Sequence, residues 1–416
     1  MTPALLSWTI AGVATAGVVT RPFKLPEATW AVAGAALIVA LGLLPASLAW
    51  QAIAKGNDVY LFLTGMMLLS ETGRRAGVFD WLAVLAVNHA KGSPRRLFLL
   101  VYLIGIVITT FMSNDAAAVV LTPAVFAVAK KARAPALPLL FICAFIANAA
   151  SFVLPISNPA NLVLYGKHTP PLREWLAHFA LPSLLSILAT YGMLRWTQRH
   201  HLVGDCARRL DPAPLSAGGR LALAGMVATA LALLCVSALD MDLGLPTAAL
   251  GALTAAAVLA HDRSSPWPVV KSISWGVLLL VAGLFVLVET LDHTGVIRTL
   301  TQYLVRWTQH DATTAGALAG AIAGFGANAI NNLPAGLIAS SALMQAHSPA
   351  SVVDALVIGI DLGPNLSITG SLATILWLTE IRREGEEVSF LQFLKVGTMV
   401  MPPALALALG VRLLLG

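Results

Sequence analysis

The sequence predicts an all-α polytopic membrane protein: about ten transmembrane helices plus two re-entrant hairpins, arranged as two inverted-topology repeats with broken helices. Three observations predict it. Charged residues make up 11% and hydrophobic residues 58% of the 416 positions, whereas a soluble domain carries roughly 25% charged residues. So few charges cannot cover a water-facing surface, so lipid is the solvent for most of the chain. Some of its long apolar runs are interrupted near their middles by prolines and by Asn, Ser and Asp. Finally, strings in the first half recur, in the same order, a little over 200 residues later.

A spanning helix needs about 20 apolar residues, and uninterrupted runs are expected at 4–20, 29–48, 57–73, 175–197, 219–239, 244–261, 272–291 and 392–414. The first run lacks a preceding basic segment and a small-residue cleavage site, and is expected to be a retained helix. Two further runs, 135–165 and 350–378, contain breaks, and the regions 96–130 and 313–346 read as hairpins. Amphipathic segments at 78–90 and 295–309 precede the two hairpins, with Trp, Tyr or Arg among aliphatics, as in interfacial helices. The longest polar stretch runs only from about Arg195 to Arg220. The expected domains are an N-terminal repeat, 1–197, a cytoplasmic linker, 198–218, and a C-terminal repeat, 219–416.

Basic residues orient the chain. Arg74, Arg75, Lys91, Arg95 and Arg96 precede the first hairpin, and Lys130, Lys131 and Arg133 follow it. If both stretches are cytoplasmic, the hairpin enters and leaves on one face. The 195–220 loop is then inside, Asp240 and Asp242 outside, the second hairpin enters from outside, and both termini lie outside. The net charge of +6 is small for this length and points to anionic lipid, with no nucleic-acid partner. Cys143, Cys206 and Cys235 are scattered, without metal-ligand spacing or a disulfide framework.

The repeat rests on four matches. Residues 64–72, Thr-Gly-Met-Met-Leu-Leu-Ser-Glu-Thr, match 282–290, Ala-Gly-Leu-Phe-Val-Leu-Val-Glu-Thr. Gly77-Val78 matches Gly295-Val296, Asn114-Asp115 falls opposite Asn331-Asn332, and 157–161 falls opposite 370–374. Inverted repeats with discontinuous helices place substrate and ion sites at their interface near the midplane.

Four polar clusters are candidates for that site. The first hairpin carries Ser113, Asn114 and Asp115 at its expected turn. A carboxylate in hydrocarbon is costly and usually lines a pathway or finds a partner; Asp115 could also cap a helix. The first broken helix carries Asn148, Ser151, Ser157, Asn158 and Asn161 around Pro155 and Pro159. Two prolines in five residues cannot sit in an intact helix, and freed backbone is tolerated at membrane depth only beside protein or a wet cavity. The second hairpin carries Asn328, Asn331 and Asn332, and the second broken helix Asp361, Asn365, Ser367, Thr369 and Ser371. Gly324, Gly326, Gly363 and Gly370 are expected at close helix crossings. Asp115 and Asp361 are the candidate proton-coupling residues; Glu71 and Glu289, at helix ends, are expected to be gating or structural. No lysine or arginine lies within the clusters, and histidines such as His168, His200, His201 and His310 read as interfacial.

These residues carry a family resemblance. Residues 111–123, Phe-Met-Ser-Asn-Asp-Ala-Ala-Ala-Val-Val-Leu-Thr-Pro, resemble the first-hairpin signature of the arsenite/antimonite efflux permeases of the ion transporter superfamily. Residues 151–164 resemble the family's broken-helix signature, Asn331-Asn332-Leu333-Pro334 its second hairpin, and Glu71-Thr72-Gly73 with Phe79-Asp80-Trp81 its third-helix end. The resemblance covers nearly the whole chain. Asn148 departs from it, since many members have aspartate there.

The resemblance implies a secondary transporter, not an enzyme, in a bacterial inner membrane. It would export arsenite and antimonite by proton antiport, with hairpins and broken helices moving as an elevator against a scaffold and with no cofactor. Some members join a cytoplasmic arsenite-stimulated ATPase. Arsenous acid is a neutral molecule with three hydroxyls, suited to Asn, Ser, Thr and Asp; arsenic enters as substrate, and the scattered cysteines do not form a thiol trap. The alternative on this scaffold is a sodium/proton antiporter or an organic-anion transporter.

Overall fold

The computed structural model describes residues 2–166, 169–211 and 214–415, and every regular element among them is helical. The first half runs α1 (Pro3–Thr20), α2 (Glu27–Ala40), α3 (Ala46–Lys55), α4 (Asn57–Arg75), α5 (Val78–Ala90) and α6 (Pro94–Met112). After a one-residue break come α7 (Asn114–Ala116), a π turn (Ala117–Leu121) and α8 (Thr122–Lys131), followed by α9 (Ala136–Ala149), α10 (Pro159–Tyr165) and α11 (Leu172–Thr197). The second half runs α12 (Ala217–Ala238), α13 (Gly244–His261), α14 (Trp267–Ser272), α15 (Gly276–His293), α16 (Val296–His310) and α17 (Ala312–Ile330). It ends with α18 (Asn332–Ala346), α19 (Ala350–Leu362), α20 (Leu372–Arg383) and α21 (Phe390–Leu414).

Among the described residues, eight helices are long and apolar enough to cross a membrane: α1, α6, α11, α12, α13, α15, α17 and α21. Leucines and valines on their outer faces, such as Val107, Leu188, Leu231, Leu253 and Leu279, are exposed, as lipid-facing side chains are. The first arms of the two interrupted regions, α6 and α17, are each 19 residues long, enough for a full span.

Two expected spans are corrected. The run 29–48 is not one helix: α2 stops at Ala40, Gly42 turns at φ +67°, and Pro45 opens α3. The run 272–291 starts late, because Pro266 and Trp267-Pro268 nucleate the separate α14 and Ile273 is extended, so α15 begins only at Gly276.

Small residues set the closest crossings. A Cβ on Gly359 of α19 would strike the Gly320 carbonyl of α17, and one on Gly363 the Gly324 carbonyl. Only glycine allows these backbones to touch, and the contact brings the end of α17 against the break after α19. Gly370 also packs closely, against Pro364, but Gly326 has nothing within 4 Å and is not at a crossing. Gly65 of α4 and Gly251 of α13 meet in the same way. Phe141 and Phe145 of α9 pack with Trp377 of α20 and Phe393 of α21, and Trp377 Nε1 donates to the Leu140 carbonyl at 2.8 Å. The linker is docked as well. Cys206 N donates to Gly92 O at 3.1 Å and Ala207 N to Ala132 O at 2.8 Å, which brings both flanks of the first interrupted region to one end of the molecule.

Candidate functional site

Among the described residues four breaks lie in the interior, each ending at a polar residue that caps the next helix. Ser113 (φ 132°, ψ 161°) separates α6 from α7, and Asn331 (φ 76°, ψ 153°) separates α17 from α18. Both lie in backbone territory that L-residues avoid, at about 1–3 kcal/mol each, and such strain persists only where the surroundings enforce it. Their side chains cap the helices that follow: Ser113 Oγ accepts from Ala116 N at 3.3 Å, and Asn331 Oδ1 from Leu333 N at 3.4 Å. Capping of the first hairpin therefore falls to Ser113, while Asn114 Oδ1 accepts from Asp115 N at 2.9 Å. The Asp115 carboxylate is left over.

The other two breaks contain Pro155 and Pro364. After α9 the chain runs through one 3-10 turn, Pro155–Ser157, to Asn158, whose Oδ1 caps α10 by accepting from Ala160 N at 3.0 Å. After α19 it makes two short turns before Ser371 caps α20 at Thr374 N, 3.2 Å. Ser151 Oγ donates to the Asn148 carbonyl at 2.7 Å, and Asn161 Nδ2 to the Ser151 carbonyl at 3.0 Å, so both hold the first break together. Ser157 Oγ donates to the Thr110 carbonyl of α6 at 2.9 Å, tying that break to the first interrupted region.

The halves meet through side chains. Asn148 Nδ2 donates to Asn365 Oδ1 at 3.1 Å, Ser371 Oγ donates to Asn148 Oδ1 at 3.1 Å, and Asn365 Nδ2 reaches the Phe145 carbonyl at 3.0 Å. Asn158 Nδ2 donates to Asp361 Oδ1 at 2.7 Å. In the second half, Asn328 Nδ2 donates to Gly363 O at 3.0 Å, its Oδ1 accepts from Ser367 N and Oγ, Thr369 Oγ1 donates to Asn328 O at 2.9 Å, and Asn331 Nδ2 reaches Thr369 O at 3.4 Å. Asn114, Asn148, Asn158, Asn331, Asn332, Asn365 and Ser371 are all buried. Most of the expected site residues thus pack into the interior in hydrogen-bonded clusters, while Ser113 and Asn114 bond only within their own turn, Asn332 makes no side-chain hydrogen bond among the described residues, and the two glutamates and Asp115 lie apart. Two buried oxygens of these residues have no hydrogen-bond partner among the described residues, Asp361 Oδ2 and Asn332 Oδ1.

Asp115 faces a cavity of about 70 Å³ shared with Ser113, Ser70, Glu71 and Leu372. It lies between α4, the start of α7, α20 and the turn before α15. Glu71 accepts from Arg74 Nη2 at 2.7 Å and Arg75 Nε at 2.5 Å. Glu289 is elsewhere, paired with Lys55 at 2.7 Å.

Four charged or titratable groups are not among the residues expected from sequence. Asp354, one of three aspartates in apolar segments, accepts from Arg412 Nε at 2.8 Å and Nη2 at 2.6 Å, and from Tyr165 Oη at 2.8 Å, with His178 Nδ1 3.0 Å away. A cation therefore does lie against the second broken helix, although Asp354 neutralises it, and His178 is not a segment-end histidine. The signal was available: Asp354, His178 and Arg412 each sit inside an apolar helix, where an ion needs a partner. His168 lies outside the described residues.

Comparison with known proteins fits this architecture. The family model described as "CitMHS: Citrate transporter" matches residues 14–363. The chain is 26% identical over 370 residues to an uncharacterized transporter of Mycobacterium tuberculosis, covering 84% of each. It is 24% identical over 409 residues to an arsenical pump membrane protein of Escherichia coli, covering 94% of each. The crystal structure of the Alcanivorax borkumensis YdaH transporter, described as having an unusual topology, superposes with a TM-score of 0.57 at 14% identity, over 100% of this chain and 98% of that one. That likeness shows a shared fold. With its apolar helices and buried polar breaks, the chain is a multi-pass membrane transporter and belongs to the CitMHS citrate transporter family.

Proposed function

We propose that the protein exports trivalent arsenic and antimony hydroxides by proton antiport, with elevator-type alternating access. One observation carries this reading: the interior network consists of amides, hydroxyls and carboxylates, with no lysine or arginine in it. Such a set matches a small neutral polyhydroxyl solute, offering donors and acceptors without a counter-ion. The likeness to arsenical pump proteins over most of the chain supports the same substrate class.

In this reading the site comprises Ser113, Asn114, Asn148, Ser151, Ser157, Asn158, Asn161, Asn331, Asn332, Asn365, Thr369 and Ser371. Asp115 and Asp361 carry protons. Arsenite takes the place of the proton on its carboxylate, and reprotonation from the opposite side releases it. Glu71, beside the cavity, gates or braces access; Glu289 braces the scaffold. The repeats are 1–197 and 219–416, inverted about the membrane plane, with the interrupted regions re-entrant and 198–218 cytoplasmic. The termini are outside a bacterial inner membrane, and a cytoplasmic ATPase is a candidate partner. The hairpins and broken helices form the moving unit, and α4, α13 and α15 belong to the scaffold.

A second reading is organic-anion transport, favoured by the family description and by helix starts in the interior, whose positive dipole ends attract anions. Everted vesicles containing the protein separate the two. Arsenite accumulation that collapses with the pH gradient is the expected result. Citrate accumulation, or sodium-driven proton flux without arsenite uptake, would replace the arsenite assignment.

A further inference from the structure

Two hydrogen bonds join the broken helices in register. Asn158 and Tyr165, at the two ends of α10, are seven residues apart, as are Asp354 and Asp361 on α19. Seven residues are about two turns, so Asp354 and Asp361 lie on one face of α19, while Asn158 is the extended cap residue of α10 and Tyr165 its last residue. Asn158 bonds Asp361 at 2.7 Å, and Tyr165 bonds Asp354 at 2.8 Å. First pairs with last, so the helices are antiparallel and the two bonds are rungs roughly 10 Å apart at about 1.5 Å per residue.

The rungs differ in charge. Arg412 grips Asp354 Oδ2 through two nitrogens, His178 of α11 stands at the same oxygen, and Asp354 and Arg412 are 1% and 2% exposed. A charge this deep is tolerated only when paired. Tyr165 is in turn braced by the Trp175 ring, 5.6 Å away between centroids, whose Nε1 donates to the Phe152 carbonyl at 3.2 Å. At the inner rung, Asn158–Asp361 (Tyr165–Asp354 being the outer one), no cation among the described residues touches Asp361. Its Oδ2 has no hydrogen-bond partner among the described residues, and the Ser151 hydroxyl and Asn161 amide beside it donate to backbone carbonyls. One helix therefore carries a locked carboxylate and, two turns on, an available one.

We propose that Tyr165, Asp354 and Arg412 are positioning residues: the outer rung sets the register of α10 against α19 and so keeps Asn158 opposite Asp361, leaving the second Asp361 oxygen free. The proposal rests on the reading of Asp361 as a proton-coupling residue. It differs from a purely stabilising ion pair, because loosening the outer rung changes the chemistry at Asp361 in protein that is still folded.

The test uses the full-length protein in proteoliposomes. Tyr165→Phe removes the rung hydroxyl but keeps the ring on Trp175 and the Asp354–Arg412 pair. Two quantities are read: the rate at which a hydrophobic carbodiimide, which adds to protonated carboxyls, labels Asp361 across pH, followed by peptide mass spectrometry; and the pH profile of arsenite transport. Tyr165→Phe is expected to melt like the parent, yet to change the Asp361 labelling rate about fivefold, the equivalent of one hydrogen bond, and to move the transport profile. Arg412→Gln alone is expected to disturb both readouts. Asp354→Asn with Arg412→Gln, which removes both charges and retains an acceptor for Tyr165, is expected to restore them. Unchanged labelling in folded Tyr165→Phe, no recovery in the double variant, or an Asp361 that resists the reagent at every pH would each overturn the proposal. If the parent takes up no arsenite, the substrate assignment fails while the labelling comparison still decides the positioning role.

Discussion

In the proposed mechanism Asp115 and Asp361 are the proton-carrying carboxylates, and they stand in different surroundings. Asp361 is enclosed and held on one oxygen by Asn158; Asp115 borders a cavity beside Glu71. Substituting either by asparagine keeps shape and removes the acid. Proton-driven arsenite export in vesicles is expected to fall by about a hundredfold or more in each, the lower range for a lost proton-transfer group; full arsenite resistance conferred on a sensitive strain by both variants would reject carboxylate coupling. The cysteines serve as the opposite control. Cys143 is buried and donates to its own helix at the Leu139 carbonyl, so replacing all three by alanine should cost about 1 kcal/mol of packing and leave transport intact. Ser113 stores backbone strain, and Ser113→Gly is expected to raise thermal stability by about 1 kcal/mol or more while slowing export, because glycine at a cap costs only a few tenths in comparison.

At the level of elements, the crossing of α17 over α19 determines where Asn328 meets the second break. Gly359→Ala puts a Cβ into the Gly320 carbonyl, and overpacking of this kind costs about 1–3 kcal/mol, so lower melting and weaker transport are expected. Gly326→Ala faces open space and should be neutral or slightly stabilising, since alanine is the better helix former. Equal behaviour of the two variants in a detergent melting assay would show that the crossing is not tight. Arg412→Met leaves Asp354 buried without its cation and is expected to cost about 3–5 kcal/mol, read in the same assay.

Across the protein as a unit, the proposed elevator has its sliding surface at the cavity between α4 and the break in the first interrupted region. Met66 and Val119 line it from opposite sides. In the cysteine-free background, cysteines at both positions joined by a short bifunctional thiol reagent are expected to stop transport, and a cleavable version to restore it on reduction. Continued transport with complete cross-linking would rule out an elevator motion across this gap.

Composition and the order of residues along the chain were enough to specify the solvent, the helical class, the four breaks and nearly all of the polar residues that meet inside. The reason is that lipid leaves no water for unpaired backbone, so prolines and amides deep in an apolar run must mark places where the helix opens and is satisfied by protein. Most helix ends were legible too. The exceptions lie at Gly42, Pro45 and Ile273, where local stereochemistry cut a run that hydropathy alone had joined. Which residue satisfies which was settled by packing. That Asn148 binds Asn365 and Ser371 while Asn158 takes Asp361, that Arg412 is spent on Asp354, and that Glu289 is paired away from the site all depend on contacts spanning 58 to 234 residues. Hydropathy is a sum over neighbours in the chain, whereas a hydrogen bond is made between neighbours in space, and the second kind of neighbour exists only once the helices have packed.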